Sequence, residues 1–239
     1  IMSYKNDNTP RIIVAIDCDN EKNALSIINK LDPKLCNIKV GLELYVSCGP
    51  IIISKIHDLG FKIFLDLKFH DIKNTVVKSL LAAAKLGVWM VNLHSSCGSD
   101  TMKEAISEIK KSNFNMLVLG VTILTSLDDD EIKQIGFSKN VKDQVMLMAE
   151  NCENANLDGV VCSGNEVRNI KQKISKNLIC VCPGIRLDDD SKDDQKRTMT
   201  PKMAAKYGAD YIVVGRPVTN SLDPIKSLKN IKDEFEKAL

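Results

Sequence analysis

Short apolar runs alternate with amphipathic stretches along almost the whole of this 239-residue chain. The runs fall at 11–17, 36–41, 62–68, 89–94, 116–123, 159–163, 178–183 and 211–216. Their length and their Val and Ile content predict buried strands. Between them the apolar residues switch to helical spacing, as at Ile72, Val76, Leu80 and Ala84, and again at Ile225, Leu228, Ile231 and Phe235. Strands that alternate with helices predict parallel βα units, because a parallel pair needs a crossover long enough to hold a helix. Eight such units in a chain of this length predict an α/β fold closed into a (β/α)8, or TIM, barrel in a single domain. Residues 1–10 then form an N-terminal tail and 11–239 the barrel; Ile1, ahead of Met2, is set aside as an addition to the natural start. An open doubly wound sheet is the structural alternative. Its glycine-rich turn after the first strand is missing, since Asp17-Cys18-Asp19-Asn20 stands there.

A barrel of this kind carries its chemistry at the C-terminal ends of the strands, and the polar residues fall there. The first strand ends at Asp17, the second carries Lys39, the third ends Asp66-Leu67-Lys68, the fourth ends at His94 and the eighth at Gly215-Arg216. Period-two alternation puts Phe64, Asp66 and Lys68 on one face of the third strand and Ile63, Leu65 and Leu67 on the other. The aliphatic face is expected to pack on helices, leaving both charges in the barrel mouth. A lone Asp or Lys ending a strand is commonly a solvated cap, but here charged residues converge from three consecutive strands. Asp66-x-Lys68-x-x-Asp71, with Lys39 and Asp17, predicts alternating charges at close range, which is costly unless they pair. Such an array suits a reaction that loses a carboxylate and must then neutralise a carbanion. An ammonium can stabilise the developing charge and afterwards deliver a proton. A purely structural ion-pair network carries the same sequence pattern, so the array alone leaves both readings open.

Pro183-Gly184-Ile185-Arg186 and Val214-Gly215-Arg216-Pro217 follow the seventh and eighth strands, where barrels commonly bind phosphate. Arg216 can pair with a phosphate through its planar fork, and Gly215 permits close backbone approach. The polar segment 184–200 is longer than most βα loops and is read as a lid, with Arg186 and Gln195 as its expected ligand contacts. Its Asp188-Asp189-Asp190 run reads as solvated surface.

Composition narrows the ligand to a small molecule. The net charge is only +2 and the basic residues are dispersed, so the positive stripe that nucleic-acid binding requires is absent. No apolar run approaches the roughly 20 residues of a membrane span, and the start Ser3-Tyr4-Lys5-Asn6-Asp7-Asn8 has no signal-peptide core. A cytoplasmic protein is expected. The eight cysteines include no C-x-x-C pair, and His57, His70 and His94 share no metal-ligand spacing. Most cysteines are therefore read as reduced, small, buried residues, His70 as structural, and neither metal nor cofactor is expected.

The stretch Asp66-Leu67-Lys68-Phe69-His70-Asp71-Ile72-Lys73-Asn74-Thr75 closely resembles the signature of the orotidine 5'-phosphate decarboxylases, particularly their bacterial branch. Ala15-Ile16-Asp17, Lys39-Val40-Gly41, Val121-Thr122-Ile123-Leu124-Thr125-Ser126, Pro183-Gly184-Ile185-Arg186 and Val214-Gly215-Arg216-Pro217 extend the resemblance, in order, over almost the whole chain. It implies a cofactor-free conversion of orotidine 5'-monophosphate to uridine 5'-monophosphate, the last step of de novo pyrimidine synthesis. By the same resemblance Lys68 protonates C6 of the pyrimidine and Asp66 lies beside the departing carboxylate. Lys39 and Asp17 contact the ribose and complete the charge array. Thr125 holds the pyrimidine, and Pro183, Arg186, Gln195, Gly215 and Arg216 contact the ligand around the phosphate and lid. The resemblance further implies a homodimer in which Asp71, Ile72 and Thr75 reach the partner's active site.

His94-Ser95-Ser96-Cys97-Gly98 departs from the family's His-Ala-Ser-Gly-Gly, placing Cys97 where a glycine is usual. Sugar-phosphate barrels that also carry D-x-K-x-x-D, some of them metal-dependent, are the nearest enzymatic alternative. A catalytically silent barrel that only binds nucleotides or a partner protein is another. The Leu-Thr-Ser turn, the Pro-Gly-Ile-Arg segment and the complete charge set favour the decarboxylase.

Overall fold

The computed structural model describes residues 9–186 and 198–239. Its strands are β1 (Ile12–Ile16), β2 (Asn37–Gly41), β3 (Ile63–Phe69), β4 (Met90–His94), β5 (Leu117–Val121), β6 (Gly159–Val161), β7 (Ile179–Cys182) and β8 (Tyr211–Val214). They pair in parallel in sequence order, and β8 closes on β1 with Ile12 opposite Ile212 and Val14 opposite Val214. The helices are α1 (Glu21–Ile28), α2 (Leu42–Cys48), α3 (Ile51–Asp58), α4 (Lys73–Lys85), α5 (Ser99–Lys111), α6 (Asp129–Gln134), α7 (Val141–Asn154), α8 (Gly164–Lys173), α9 (Pro201–Tyr207), α10 (Arg216–Thr219) and α11 (Pro224–Glu236). Among the described residues, two helices follow each of β2, β5 and β8, so the repeating unit is expanded at these places.

Alternation along the strands separates two apolar layers. Ile13, Ala15, Phe64, Met90, Leu119, Val181 and Val213 point inward and fill the barrel. Ile12, Val14, Ile16, Ile63 and Leu65 point outward into the layer shared with the helices. The barrel is therefore a packed plug below its mouth, and an open site is available only above the last inward apolar residues.

Most sequence-predicted strands are trimmed by a residue or two, because ladder pairing stops before the apolar run does. Asp17 lies just beyond β1, and Thr122 and Ile123 lie beyond β5. The polar segment that replaces a glycine turn after β1 starts α1 instead, where the Asn20 side chain caps the helix by accepting from the Asn23 N–H. The helical stripe read as beginning at Ile72 begins at Val76. Ile72 precedes the first turn of α4 with φ −58° and ψ 152°, so it falls outside the helical register and is 73% exposed. The C-terminal spacing holds better: Leu228, Ile231 and Phe235 of α11 are fully buried, and Ile225 is half-buried. Gly120 in β5 marks a close approach, since a Cβ there would lie 2.2 Å from Cys152 Sγ on α7. The eight cysteines are all free, and five of them are buried.

Candidate active site

Three adjacent strands deliver the charged residues to one place. Lys39, inward on β2, sits with Nζ 3.3 Å from Asp17 Oδ1 and 3.3 Å from Asp66 Oδ2. Lys68 Nζ lies 2.8 Å from the other oxygen of Asp66. The result is a continuous chain Asp17–Lys39–Asp66–Lys68 of alternating sign, in which Asp66 and Lys39 each have side chains only 12% exposed. Gly41, at the end of β2, is part of this construction. A Cβ there would come within 3.0 Å of Lys39 Nζ and 3.4 Å of Asp17 Oδ1, so a larger residue would press on the ammonium.

Burial by itself would raise the Asp66 pKa, but the Lys39 and Lys68 ammonium groups, with hydrogen bonds from Lys68 and Asn92, outweigh it and hold the carboxyl below its usual value. Burial would likewise lower the Lys39 pKa, and Asp66 and Asp17 reverse this and raise it. Both groups are thus held charged out of bulk water.

Lys68 has a left-handed backbone, φ +50°, in an irregular stretch where pairing to β4 jumps from Leu65–Val91 to Phe69–Leu93. β3 spends two more residues than β4 over that interval. Asn92 of β4, fully buried, occupies the gap: its Oδ1 accepts the Lys68 backbone N–H at 2.8 Å, and its Nδ2 donates to Asp66 Oδ1 at 2.7 Å. Asn92 was not singled out from the sequence. The available signal was parity, because Met90, Asn92 and His94 share the inward face of a strand that is otherwise apolar.

A cavity of about 310 Å³ opens above the packed interior, floored by Ala15, Phe64 and Val213. Asp17, Lys39, Asp66 and Lys68 form its charged wall, and Thr125, Pro183, Arg186, Gly215 and Arg216 also line it. Thr125 is buried in the turn after β5, whereas Arg216 is exposed at the start of α10. Arg186 Nη1 donates to the Ile185 carbonyl at 2.9 Å. Asp71 and Ile72, between β3 and α4, and Thr75, in the first turn of α4, are exposed on the rim and line no part of this cavity. Gln195 and 187–197 of the proposed lid lie outside the described residues.

Beside the array, the His70 ring stacks on His94 with centroids 5.2 Å apart, and the Ser96 N–H donates to His94 Nδ1 at 3.3 Å. Burial, then the nearby His70 and Lys68, pull the His94 pKa down to about 4. The Cys97 substitution is accommodated without strain. Cys97 ends a 3-10 turn, Ser95–Cys97, and the left-handed position falls one residue later on Gly98, φ +96°.

A barrel whose inward strand ends assemble two carboxylates and two ammonium groups over an apolar floor, with two guanidinium groups also lining the cavity, defines a (β/α)8 enzyme that works on a small anionic molecule in its mouth. The particular family follows from comparison with known proteins: the chain belongs to the orotidine 5'-phosphate decarboxylase / HUMPS family, whose model matches residues 10–231. It is 44% identical over 229 residues to the orotidine 5'-phosphate decarboxylase of Saccharophagus degradans, covering 96% of both chains. It is 46% identical over 217 residues to that of Legionella pneumophila strain Paris, covering 90% of this chain and 95% of the relative. Among solved structures, the orotidine 5'-phosphate decarboxylase of Lactobacillus acidophilus superposes with a TM-score of 0.84 at 37% identity, over 95% of this chain and 99% of that one.

Proposed function

We propose that the chain decarboxylates orotidine 5'-monophosphate to uridine 5'-monophosphate and CO2 without a cofactor, the last step of de novo pyrimidine synthesis, in one catalytic domain spanning 11–239. The observation that carries this reading is Lys68 Nζ, held 2.8 Å from a buried carboxylate at the wall of a cavity that also exposes two arginines. The bond between C6 and the substrate carboxylate breaks, its electron pair stays on C6, and CO2 leaves. Lys68 stabilises that charge and transfers a proton from Nζ to C6, then regains a proton from solvent. Asp66 faces the departing carboxylate and positions Lys68 Nζ, while Lys39 and Asp17 hold the ribose. Thr125 contacts the pyrimidine and Pro183 packs beside it. Arg186, Gly215 and Arg216 take the phosphate, with Gln195 joining as segment 184–200 covers the ligand. Phosphate binding energy is then used at the reacting carbon.

The working unit in this proposal is a homodimer, with Asp71, Ile72 and Thr75 contributed to the partner's site. Its support is that these three residues are exposed at the rim beside the mouth yet line no part of their own chain's cavity. The proposed compartment is the cytoplasm, in keeping with eight free thiols. The test is to treat the purified protein with a chelator, add orotidine 5'-monophosphate and follow loss of the orotate chromophore. Turnover that survives chelation is expected. An inactive protein overturns the assignment, and activity that needs added divalent metal points instead to the metal-dependent sugar-phosphate side of the family.

A further inference from the structure

Among the described residues, Asn92 is the one fully buried carboxamide that touches two members of the charge array. Its orientation is forced by chemistry. The Asp66 carboxylate can only accept, so it faces the NH2 group, and the Lys68 backbone N–H can only donate, so it faces the oxygen. We propose that Asn92 is a positioning residue for the decarboxylation, locking the irregular end of β3 so that Asp66 and Lys68 are presented to the substrate in fixed register. The inference rests on the function proposed above and adds a residue to it.

Three features converge on this role. First, Lys68 adopts φ +50°, a region that a long side chain enters only when its surroundings over-determine it. The side chain of Asn92 supplies that constraint by taking the Lys68 N–H where the strand pairing is irregular. Second, Asp66 Oδ1 receives both Asn92 Nδ2 at 2.7 Å and Lys68 Nζ at 2.8 Å. One carboxylate oxygen thereby sets the Lys68 ammonium while Asn92 sets the Lys68 backbone, and the reacting group is held at both ends. Third, β4 is otherwise apolar up to His94, and a lone inward polar residue with zero exposure is tolerated there because both of its ends are satisfied. A hydrophobic isostere would leave the Lys68 N–H and one Asp66 lone pair without these partners in a dry site.

The groups that set the charge of Asp66 are Lys39 on β2, Lys68 on β3 and Asn92 on β4, and Asp17 at the end of β1 lies beyond Lys39. His94 on β4 and Arg186 and Arg216 across the mouth complete the titratable and charged surroundings. Asn92 is the neutral member, so its removal changes the Asp66 titration without removing a charge.

The experiment compares wild type with Asn92→Ala, and with Asn92→Ser in case the alanine variant folds incompletely; the serine hydroxyl is too short to reach both partners. Four quantities are measured: kcat and KM for orotidine 5'-monophosphate across pH, the Kd of uridine 5'-monophosphate, and the 13C titration of the Asp66 carboxyl. A fall in kcat of about 10- to 100-fold is expected, the size of effect that ångström-scale misplacement of a reacting group produces. Product binding should stay within about threefold, since its contacts lie elsewhere. The acid limb of kcat/KM and the Asp66 titration should both move to higher pH. Loss of activity in proportion to the folded fraction, with an unchanged pH profile and an unchanged Asp66 titration, overturns the proposal. The NMR titration needs no substrate: an inactive wild type would sink the assigned reaction, while the Asp66 titration would still decide whether Asn92 governs that carboxylate.

Discussion

Lys68 and Arg216 divide the proposed reaction between charge that appears only as CO2 leaves and charge present from the start. Lys68→Ala is expected to lower kcat by at least about 10³-fold while uridine 5'-monophosphate still binds, because the ammonium acts on transition-state charge. Near-normal turnover in that variant would remove Lys68 from the chemistry. Arg216→Ala should raise KM and lower kcat/KM by about 10²-fold, since phosphate binding energy is used at C6. An unchanged kcat/KM would mean that the phosphate is held elsewhere. His94 offers a test by acidity. Its folded pKa of about 4 lies below the ordinary value for histidine, so the unfolded chain binds more protons in the interval between them. The stability that neutral His94 confers is full above about pH 6.5 and is lost progressively as pH falls toward the folded pKa. Tm of His94→Asn should therefore depend less on pH through that interval than wild type, and parallel curves would exclude His94 as the source. At this scale Asp17, Lys39, Asp66 and Lys68 were legible in the sequence because strand ends are where a barrel exposes polar groups. Asn92 was not, because its meaning depends on how β3 lies against β4.

The strands and helices show where local pattern suffices. Alternation in Ile63-Phe64-Leu65-Asp66 correctly separates the helix-facing from the inward side chains, since adjacent Cβ atoms on a strand must point to opposite faces. The same rule says nothing of the irregularity between Leu65 and Phe69, which arises from pairing with β4. Ile72 continues an i, i+4 series in the sequence yet precedes α4 in space, because where a helix begins depends on the loop that leads into it. Gly120 illustrates a contact between elements: β5 approaches α7 so closely that a methyl group would overlap Cys152 Sγ. Gly120→Ala should destabilise the protein by about 1–3 kcal/mol through overpacking, measured as a lower denaturant midpoint at constant m-value. Adding Cys152→Ala should recover part of the loss, and failure to recover any would show that Cys152 is not the source of the strain, since Leu157 Cδ2 would also lie 3.2 Å from the new Cβ.

The whole assembly is tested by subunit exchange. Asp71, Ile72 and Thr75 lie outside their own chain's cavity, a placement compatible with the proposed dimer. Lys68→Ala and Asp71→Ala chains, each inactive alone, should regain activity when mixed, because one pocket of the heterodimer combines an intact Lys68 with an intact Asp71. Random exchange of equal amounts should restore about a quarter of wild-type activity, since half the dimers are mixed and each has one sound site. Demonstrated exchange that restores nothing would place both residues in a single chain's site.

The number of βα units, the parallel sense of the strands and the identity of the mouth charges were all determined by the sequence alone, because each follows from periodicity or from position within a strand. The register in which β8 meets β1, the register that sets Asn92 between Asp66 and Lys68, and the glycines that permit close contact at Gly41 and Gly120 were decided only in three dimensions. Each of these depends on a neighbour distant in the chain, and pairing at a distance leaves no periodic trace in either partner.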